Sequence, residues 1–332
     1  MTERNWMDLA GGVGLFLYGM LLMTSSMEQA ASGPLRRVLT RATRTLPRAI
    51  LAGMLITGLI QSSGATALLC IGLAGAGLLP LSGAAGVMLG ANIGTTVTAQ
   101  LLALGGGSAA RYSPALCAPL FCLAGAVLCL ACRRGPAGAA GQILLGFGLL
   151  FSGLSGVRQA VAPLGQSPHF LKMLAQLGHP LPGVLAGAVS SAVLQSSSAA
   201  VGLLQALAAT GMIRWTSVVP LVLGQNIGAC ITPLFAAHTG PGGQAAVACA
   251  RFNLLFNLLG SALCLTGFYL AVQLFPALID AGATGAGIAN FHSLFNLGAV
   301  LLLAPFTRPL LRLAAGKACP CPTSAPAPSS QP

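Results

Sequence analysis

Nine long apolar stretches occupy most of this chain, and few charged residues interrupt them. Only 6% of the 332 residues are charged, whereas soluble domains usually carry about 25%. Because the chain cannot cover a globular surface with polar groups, we predict an all-α polytopic membrane protein. The same composition excludes a cytosolic enzyme, a nucleic-acid-binding protein and a secreted disulfide scaffold. The stretches lie at about 9–27, 49–79, 84–104, 114–132, 137–157, 182–213, 218–237, 246–274 and 288–305.

Basic residues lie between the apolar stretches and give the chain a formal net charge of +12. There they act as topology signals and as contacts to lipid headgroups. They predict a multi-pass protein of the cell (inner or plasma) membrane, with its N-terminus outside and its C-terminus in the cytoplasm. The first stretch is expected to stay in the membrane, since no cleavage site follows it. Arginines within 36–48 indicate an interfacial amphipathic helix, and residues 306–332 are expected to form a disordered tail.

Two stretches, 49–79 and 182–213, are too long for one crossing of about 20 residues. Each is broken near its middle, at Gln61-Ser62-Ser63-Gly64 and at Gln195-Ser196-Ser197-Ser198. An arm of about 12 residues extends only about 18 Å as a helix, and the hydrocarbon core is about 30 Å thick. We therefore favour two re-entrant helical hairpins with polar tips at the midplane. Two long tilted helices, each broken in mid-membrane, are the alternative.

The polar break is part of an internal repeat. Adding 134 to each residue number superposes Gln61-Ser62-Ser63 on Gln195-Ser196-Ser197, and the G-x-N-I-G segment 90–94 on 224–228. This self-similarity indicates a duplication, with repeat 1 at about 49–132 and repeat 2 at about 182–274. Three full crossings between the hairpins would make the repeats inverted, as in many secondary transporters. With flanking helices at 9–27, 137–157 and 288–305, we predict one membrane transport domain over 1–305.

Polar residues concentrate at the two breaks and in the segments that align with each other. Unsatisfied polar groups are costly in hydrocarbon, so these residues must face one another, water or a ligand. Interhelical hydrogen bonds would explain a lone serine, but two equivalent clusters favour a ligand site. The candidate substrate- and ion-binding residues are Gln61, Ser62, Ser63, Thr66, Asn92, Thr95, Thr96, Thr98, Gln195, Ser196, Ser197, Ser198, Asn226 and Thr232.

The chemistry of these residues narrows the ligand. No Asp, Glu, Lys or Arg lies in the middle of an apolar stretch, which disfavours a proton relay. Neutral hydroxyls, amides and free carbonyls suit a hard cation such as Na⁺. The unpaired N–H groups that begin each second arm, near Ser62 and Ser196, suit an anion. The residues therefore predict a sodium-coupled anion transporter without an organic cofactor.

Several motifs resemble those of the sodium/phosphate cotransporter family, type II and its bacterial relatives. Each Gln-Ser-Ser is followed by G-x-N-I-G. Segments 14–20 and 144–151, Leu255-Phe256-Asn257 and His292-Ser293-Leu294-Phe295-Asn296 also resemble family signatures. The likeness covers about residues 10–305. It implies Na⁺-dependent transport of inorganic phosphate by alternating access, with phosphate and Na⁺ bound at the two tips.

The resemblance assigns roles to the candidate residues. Gln61, Ser62, Ser63 and 195–198 would form the tips, and Asn92, Thr95, Thr96, Asn226 and Thr232 the lining of the facing helices. The chain departs from the family pattern at Gly64, Ala229, Cys230 and Asn253, where a serine, two threonines and a histidine are usual. Many bacterial relatives carry a cytoplasmic regulatory domain after the last helix. About 27 residues follow it here, so we expect any such regulator to be a separate protein.

Other functions stay open at this point. Another oxyanion, such as arsenate or sulfate, would suit the same hydroxyl and N–H donors. A membrane sensor would bind phosphate without transporting it. A membrane enzyme is the least favoured, since no base accompanies the serines to activate them. The expected partners are inorganic phosphate and membrane lipid, and nucleic acid is not among them.

Overall fold

A computed structural model describes residues 3–43, 45–105, 114–132, 134–163, 167–278 and 281–316. These residues are almost entirely helical, and they pair extended backbone only at one isolated bridge, between Arg214 and Gly282. The α-helices are α1 (Glu3–Ala42), α2 (Leu46–Ile60), α3 (Ser63–Gly75), α4 (Leu81–Leu104), α5 (Pro114–Ala131), α6 (Gly135–Val161), α7 (Pro168–Gln176), α8 (Pro180–Leu194), α9 (Ser197–Ala208), α10 (Trp215–Gly228), α11 (Ile231–Thr239), α12 (Gly243–Leu274), α13 (Gly285–Leu303) and α14 (Thr307–Ala315).

Seven of the described helical segments are long and apolar enough to cross a membrane, which confirms the predicted all-α membrane class. In α5, Leu116, Leu120 and Leu123 are 67%, 68% and 64% exposed. A row of exposed leucines needs lipid or another protein to cover it. The seven segments are Asn5–Ala30, Leu81–Leu104, Pro114–Ala131, Gly135–Val161, Trp215–Thr239, Gly243–Leu274 and Gly285–Ala315.

Both predicted breaks are present, and each divides an apolar stretch into two short helices. α2 and α3 are separated by Gln61 and Ser62, as α8 and α9 are by Gln195 and Ser196. The offset of 134 that superposes the motifs also superposes these helix ends. The 15 residues of α2 and of α8 extend about 22 Å, short of a core of roughly 30 Å. Such lengths agree with re-entrant hairpins, whose path and inverted arrangement stay predictions.

Glycines of the G-x-N-I-G segments let neighbouring helices pack closely. α4 lies against α2, and α10 lies against α8. A methyl group on Gly90 would overlap the carbonyl oxygen of Ile50, and one on Gly224 would overlap that of Val184. The same offset relates these two contacts. The duplicated motif therefore brings an equivalent pair of helices together in each repeat, as small residues do between membrane helices.

We expect Gly90→Ala to destabilise the folded protein, because an added Cβ would force α2 and α4 apart. Overpacking of this kind costs about 1–3 kcal/mol. Gly58→Ala is the matched control on α2, since its added Cβ would lie 3.5 Å from Val97 Cγ2, an ordinary contact. Thermal unfolding in detergent compares the two variants. Equal unfolding midpoints would contradict the role given to the close approach.

The helix that corresponds to α4 in the second repeat is interrupted. α10 ends at Gly228 and α11 begins at Ile231, within the apolar stretch 218–237 that was expected to be a single crossing. Pro233 explains the interruption, because it has no N–H to donate to the carbonyl of Ala229. The interruption coincides with Ala229 and Cys230, two of the positions where the chain departs from the family pattern.

Three helices include residues that lie outside the predicted membrane crossings. α1 continues to Ala42 and so includes the start of the expected interfacial segment; the side chains of 31–38 and 40–42 lie outside the described residues. α7 lies between the apolar stretches 137–157 and 182–213, where no helix was predicted. α14 forms the beginning of the expected disordered tail, with Leu310 and Leu311 buried and Arg308 and Arg312 exposed. This pattern is typical of a helix at a membrane interface, and residues 317–332 lie outside the described part.

Buried apolar residues pack α3 and α9, the helices that follow the two breaks, against other helices. Phe16 of α1 and Leu150 of α6 pack in one cluster with Ala199 of α9. Cys70 of α3 and Phe252 of α12 belong to a second cluster. α1 and α6 therefore pack against the second repeat, and α12 packs against the first.

Candidate functional site

One glutamine in each break leaves the helical conformation. Gln61 has φ 59° and Gln195 has φ 52°, and no other non-glycine residue in the described part has a positive φ. A left-handed conformation costs such a residue about 1–3 kcal/mol. Because the same strain recurs at equivalent positions of the two repeats, it points to a functional constraint.

The serine after each glutamine caps the next helix. Ser62 Oγ accepts a hydrogen bond from Ala65 N at 3.1 Å, and Ser196 Oγ accepts one from Ala199 N at 3.1 Å. Ser62 Oγ keeps its own proton to donate, whereas Ser196 Oγ donates its proton to Met20 Sδ at 3.8 Å, a weak acceptor. The first N–H groups of α3 and α9 have no partner within the helix, and they lie at its positive end. Each tip thus offers hydroxyl and N–H donors, which suit an anion.

Both tips line a single cavity of about 430 Å³, which we call the vestibule. Its described lining carries no lysine, arginine or histidine, so neutral donors would have to hold an anion there. The α1 residues that line it include Met20, whose sulfur lies 3.8 Å from Ser196 Oγ. The polar lining residues are Thr24, Ser25, Glu28, Gln61, Ser62, Ser63, Gln195, Ser196, Ser197 and Ser198.

A second cavity of about 20 Å³ adjoins the vestibule, and we call it the inner cavity. Ser63, Gly64, Ser197 and Ala229 line both cavities. The volume suffices for one water molecule or one monatomic ion. Its other polar lining residues are Asn92, Thr95, Asn226, Cys230, Asn253 and Asn257.

Hydrogen bonds orient three of the asparagines of the inner cavity through their amide nitrogens, while the side-chain oxygen of the fourth, Asn253, accepts from Asn92 and Asn257. Asn92 Nδ2 donates to Met88 O and Asn226 Nδ2 donates to Val222 O, each at 2.9 Å. Asn257 Nδ2 donates to Asn253 O at 2.9 Å, and Asn257 Oδ1 is buried without a partner. Unpaired buried carbonyl oxygens are ligands for a hard cation. The donor set of this cavity therefore fits Na⁺.

Four of the candidate residues lie outside both cavities: Thr66, Thr96, Thr98 and Thr232. Thr66 is fully buried and accepts a hydrogen bond from Thr57 Oγ1 at 2.9 Å. Thr96 Oγ1 donates to Ile93 O at 2.8 Å. The other ten candidates line the vestibule, the inner cavity or both.

Two groups of lining residues are absent from the sequence-derived set. Thr24, Ser25 and Glu28 come from α1, and Asn253 and Asn257 come from α12. The polar run at the end of the first apolar stretch could have indicated the α1 residues. The spacing of four between the two asparagines, which places them on one helix face, could have indicated the α12 residues. Neither group belongs to a repeated motif, so the duplication did not reveal it.

Comparison with known proteins agrees with the motifs. The Na+/Pi-cotransporter family model matches residues 15–159 and 165–295. "Putative inorganic phosphate export protein YjbB" of Escherichia coli K12 is 30% identical over 307 residues, which are 92% of this chain and 54% of that protein. The chain thus spans about half the length of that relative. "Uncharacterized protein YqeW" of Bacillus subtilis is 31% identical over 305 residues, 90% of this chain and 93% of that protein.

No solved structure matches the chain. The family model nevertheless covers both breaks, both G-x-N-I-G segments and the helices that line the two cavities. The chain therefore belongs to the Na+/Pi-cotransporter family.

Proposed function

We propose that this protein is a secondary transporter that moves inorganic phosphate together with Na⁺ by alternating access. One observation carries the proposal: the tips of both repeats line one polar cavity. The family description supports both substrates, and the name of the E. coli relative supports phosphate. That name refers to export, whereas the net direction of a coupled transporter depends on the gradients across the membrane.

Phosphate would bind in the vestibule. The hydroxyls of Ser62 and Ser196 and the first N–H groups of α3 and α9 would donate to its oxygens. Hydrogen bonds to charged groups are stronger than those between neutral groups. Charge-neutral donors also let the anion leave again, which a transporter requires.

Na⁺ would bind in the inner cavity, with oxygen ligands from Asn226, Asn257, Thr95 and the carbonyl of Ala229. Pro233 supports the last of these, because it leaves that carbonyl without its usual helical donor. Carbonyls of interrupted helices coordinate cations in other transporters. Since Ser63 and Ser197 line both cavities, a bound cation and a bound anion would offset each other's desolvation.

Alternating access would follow from the duplication. If α2–α3 and α8–α9 are re-entrant hairpins of inverted repeats, one opens toward each side of the membrane and their tips meet at the midplane. We also propose the orientation that the basic residues indicate, with the N-terminus outside and the C-terminus in the cytoplasm.

The first experiment is radiolabelled phosphate flux in proteoliposomes, with a Na⁺ gradient imposed in either orientation. We expect flux to follow the Na⁺ gradient and to be absent from protein-free liposomes. Flux indifferent to Na⁺ would contradict coupling. Phosphate binding without flux would favour a sensor, and stronger competition by arsenate or sulfate than by phosphate would change the substrate.

A further inference from the structure

The vestibule holds a charged side chain that none of the motifs includes. The chain has four acidic residues, and one of them, Glu28, lines this cavity together with both tips. Glu28 lies near the end of the first span, Asn5–Ala30. It is the one charged residue among the described lining residues, and no described side chain forms an ion pair with it.

Two hydroxyl oxygens of α1 lie on the same side of the helix as this carboxylate. Thr24 and Ser25 precede Glu28 by four and three residues, the spacing of neighbours on one helix face. Thr24 Oγ1 donates to Met20 O at 2.9 Å and Ser25 Oγ donates to Leu22 O at 3.3 Å. Because their protons are directed to their own helix, their oxygens are left as acceptors toward the vestibule.

Gln61 adds another acceptor to this cavity. Its side chain is only 6% exposed, and its Nε2 donates to the carbonyl of Gly58. Its Oε1 is buried and has no hydrogen-bond donor. Buried acceptors are normally satisfied, and a carboxylate, two hydroxyl oxygens and an amide oxygen are ligands that suit a hard cation.

We propose that Glu28 binds a second Na⁺ in the vestibule, in addition to the one proposed for the inner cavity, and thereby couples this cation to the anion. This inference rests on the proposed function. A phosphate beside an unneutralised carboxylate is repelled, and the low-dielectric walls of the cavity strengthen the repulsion. A cation on Glu28 removes that repulsion. By linkage, the cation and the phosphate raise each other's affinity by the same factor.

The test is equilibrium binding of ³²P-phosphate and of ²²Na⁺ to the purified full-length chain, in sodium or choline buffer at one fixed pH. We expect Na⁺ to raise the phosphate affinity of the wild type by about 5–150-fold, the usual range of such coupling. Glu28→Gln should lose most of this enhancement. It should also bind phosphate more tightly than the wild type in choline buffer, because the repulsion is gone. A merely structural role for Glu28 does not predict tighter binding.

Asp8→Asn is the matched control, since Asp8 is an exposed carboxylate on the same helix and lies outside the vestibule. It should behave as the wild type. Glu28→Asp keeps the charge and should retain the coupling, which guards against a folding defect. The inference is overturned if Glu28→Gln keeps the full Na⁺ enhancement while the wild type shows Na⁺-driven flux. If Na⁺ raises phosphate affinity in no variant, the wild type included, the proposed function fails as well.

Discussion

Replacing Ser62 or Ser196 by alanine is expected to lower Na⁺-driven phosphate flux by about ten- to a hundredfold. Each hydroxyl lies in the vestibule beside the start of a helix, and a hydrogen bond to a charged group contributes about 1.5–3 kcal/mol. A loss of about 1.4 kcal/mol corresponds to a factor of ten. Initial rates in proteoliposomes measure the loss. Because the repeats are equivalent here, we expect the two single variants to be impaired to a similar degree.

A second effect of these substitutions must be separated from the first. Alanine also removes an N-cap, at a cost of about 0.5–2 kcal/mol. Thr284 provides the matched control, because its Oγ1 accepts from Gly287 N at 3.0 Å and it caps α13 outside both cavities. Thr284→Ala should lose similar stability and keep its flux.

Glycine variants also separate loss of the phosphate contact from loss of the N-cap, because glycine replaces a capping serine at a cost of only a few tenths of a kcal/mol. Ser62→Gly and Ser196→Gly should therefore fold nearly as well as the wild type and still lose flux. Full transport in the glycine variants would show that the two serines act as caps alone.

The architecture at the tips was accessible from sequence because it is local and repeated. Gln-Ser-Ser interrupts an apolar stretch, and a polar interruption between two apolar arms predicts a helix break wherever it occurs. The motif recurs at an offset of 134, and the same offset relates the end of α2 to the end of α8. Pro233 is a sequence signal for the interruption after α10, but the apolar character of 218–237 predicts a single crossing.

The contributions of α1 and α12 were not accessible in the same way. Glu28 and Asn257 reach the two cavities only because distant helices pack beside the tips. Hydropathy reports that a helix is apolar, and it does not report which neighbour the helix faces. Glu28 directly follows the first apolar stretch, 9–27, and belongs to no motif, so the motifs did not point to its place in the vestibule.

Side chains also differ between repeats whose backbones correspond. Thr57 and Thr66 share a hydrogen bond of 2.9 Å in the first repeat. At the equivalent positions stand Ser191 and Ala200, and Ser191 Oγ is buried without a partner. The Thr66 hydroxyl therefore accepts the hydrogen bond of another threonine, and Thr66 lies outside both cavities. The residue type alone cannot distinguish this use of a hydroxyl from ligand binding.

Asn226→Ala and Asn257→Ala are expected to raise the Na⁺ concentration for half-maximal flux by about tenfold or more. Each removes a carbonyl oxygen from the inner cavity, and a lost bond to a charged group costs about 1.5–3 kcal/mol. A cavity of about 20 Å³ has little room for water to replace the missing ligand. At saturating Na⁺, the phosphate dependence of flux should change much less, because these asparagines do not line the vestibule.

Asn290→Ala tests whether loss of any asparagine from a membrane helix has this effect. Asn290 is exposed on α13, and its Oδ1 accepts from Gln100 Nε2 at 3.1 Å, outside both cavities. The control should keep the Na⁺ dependence of the wild type, and unfolding midpoints should show that the cavity variants remain folded. If Asn226→Ala and Asn257→Ala shift the phosphate dependence and leave the Na⁺ dependence unchanged, the assignment of a Na⁺ to the inner cavity is wrong.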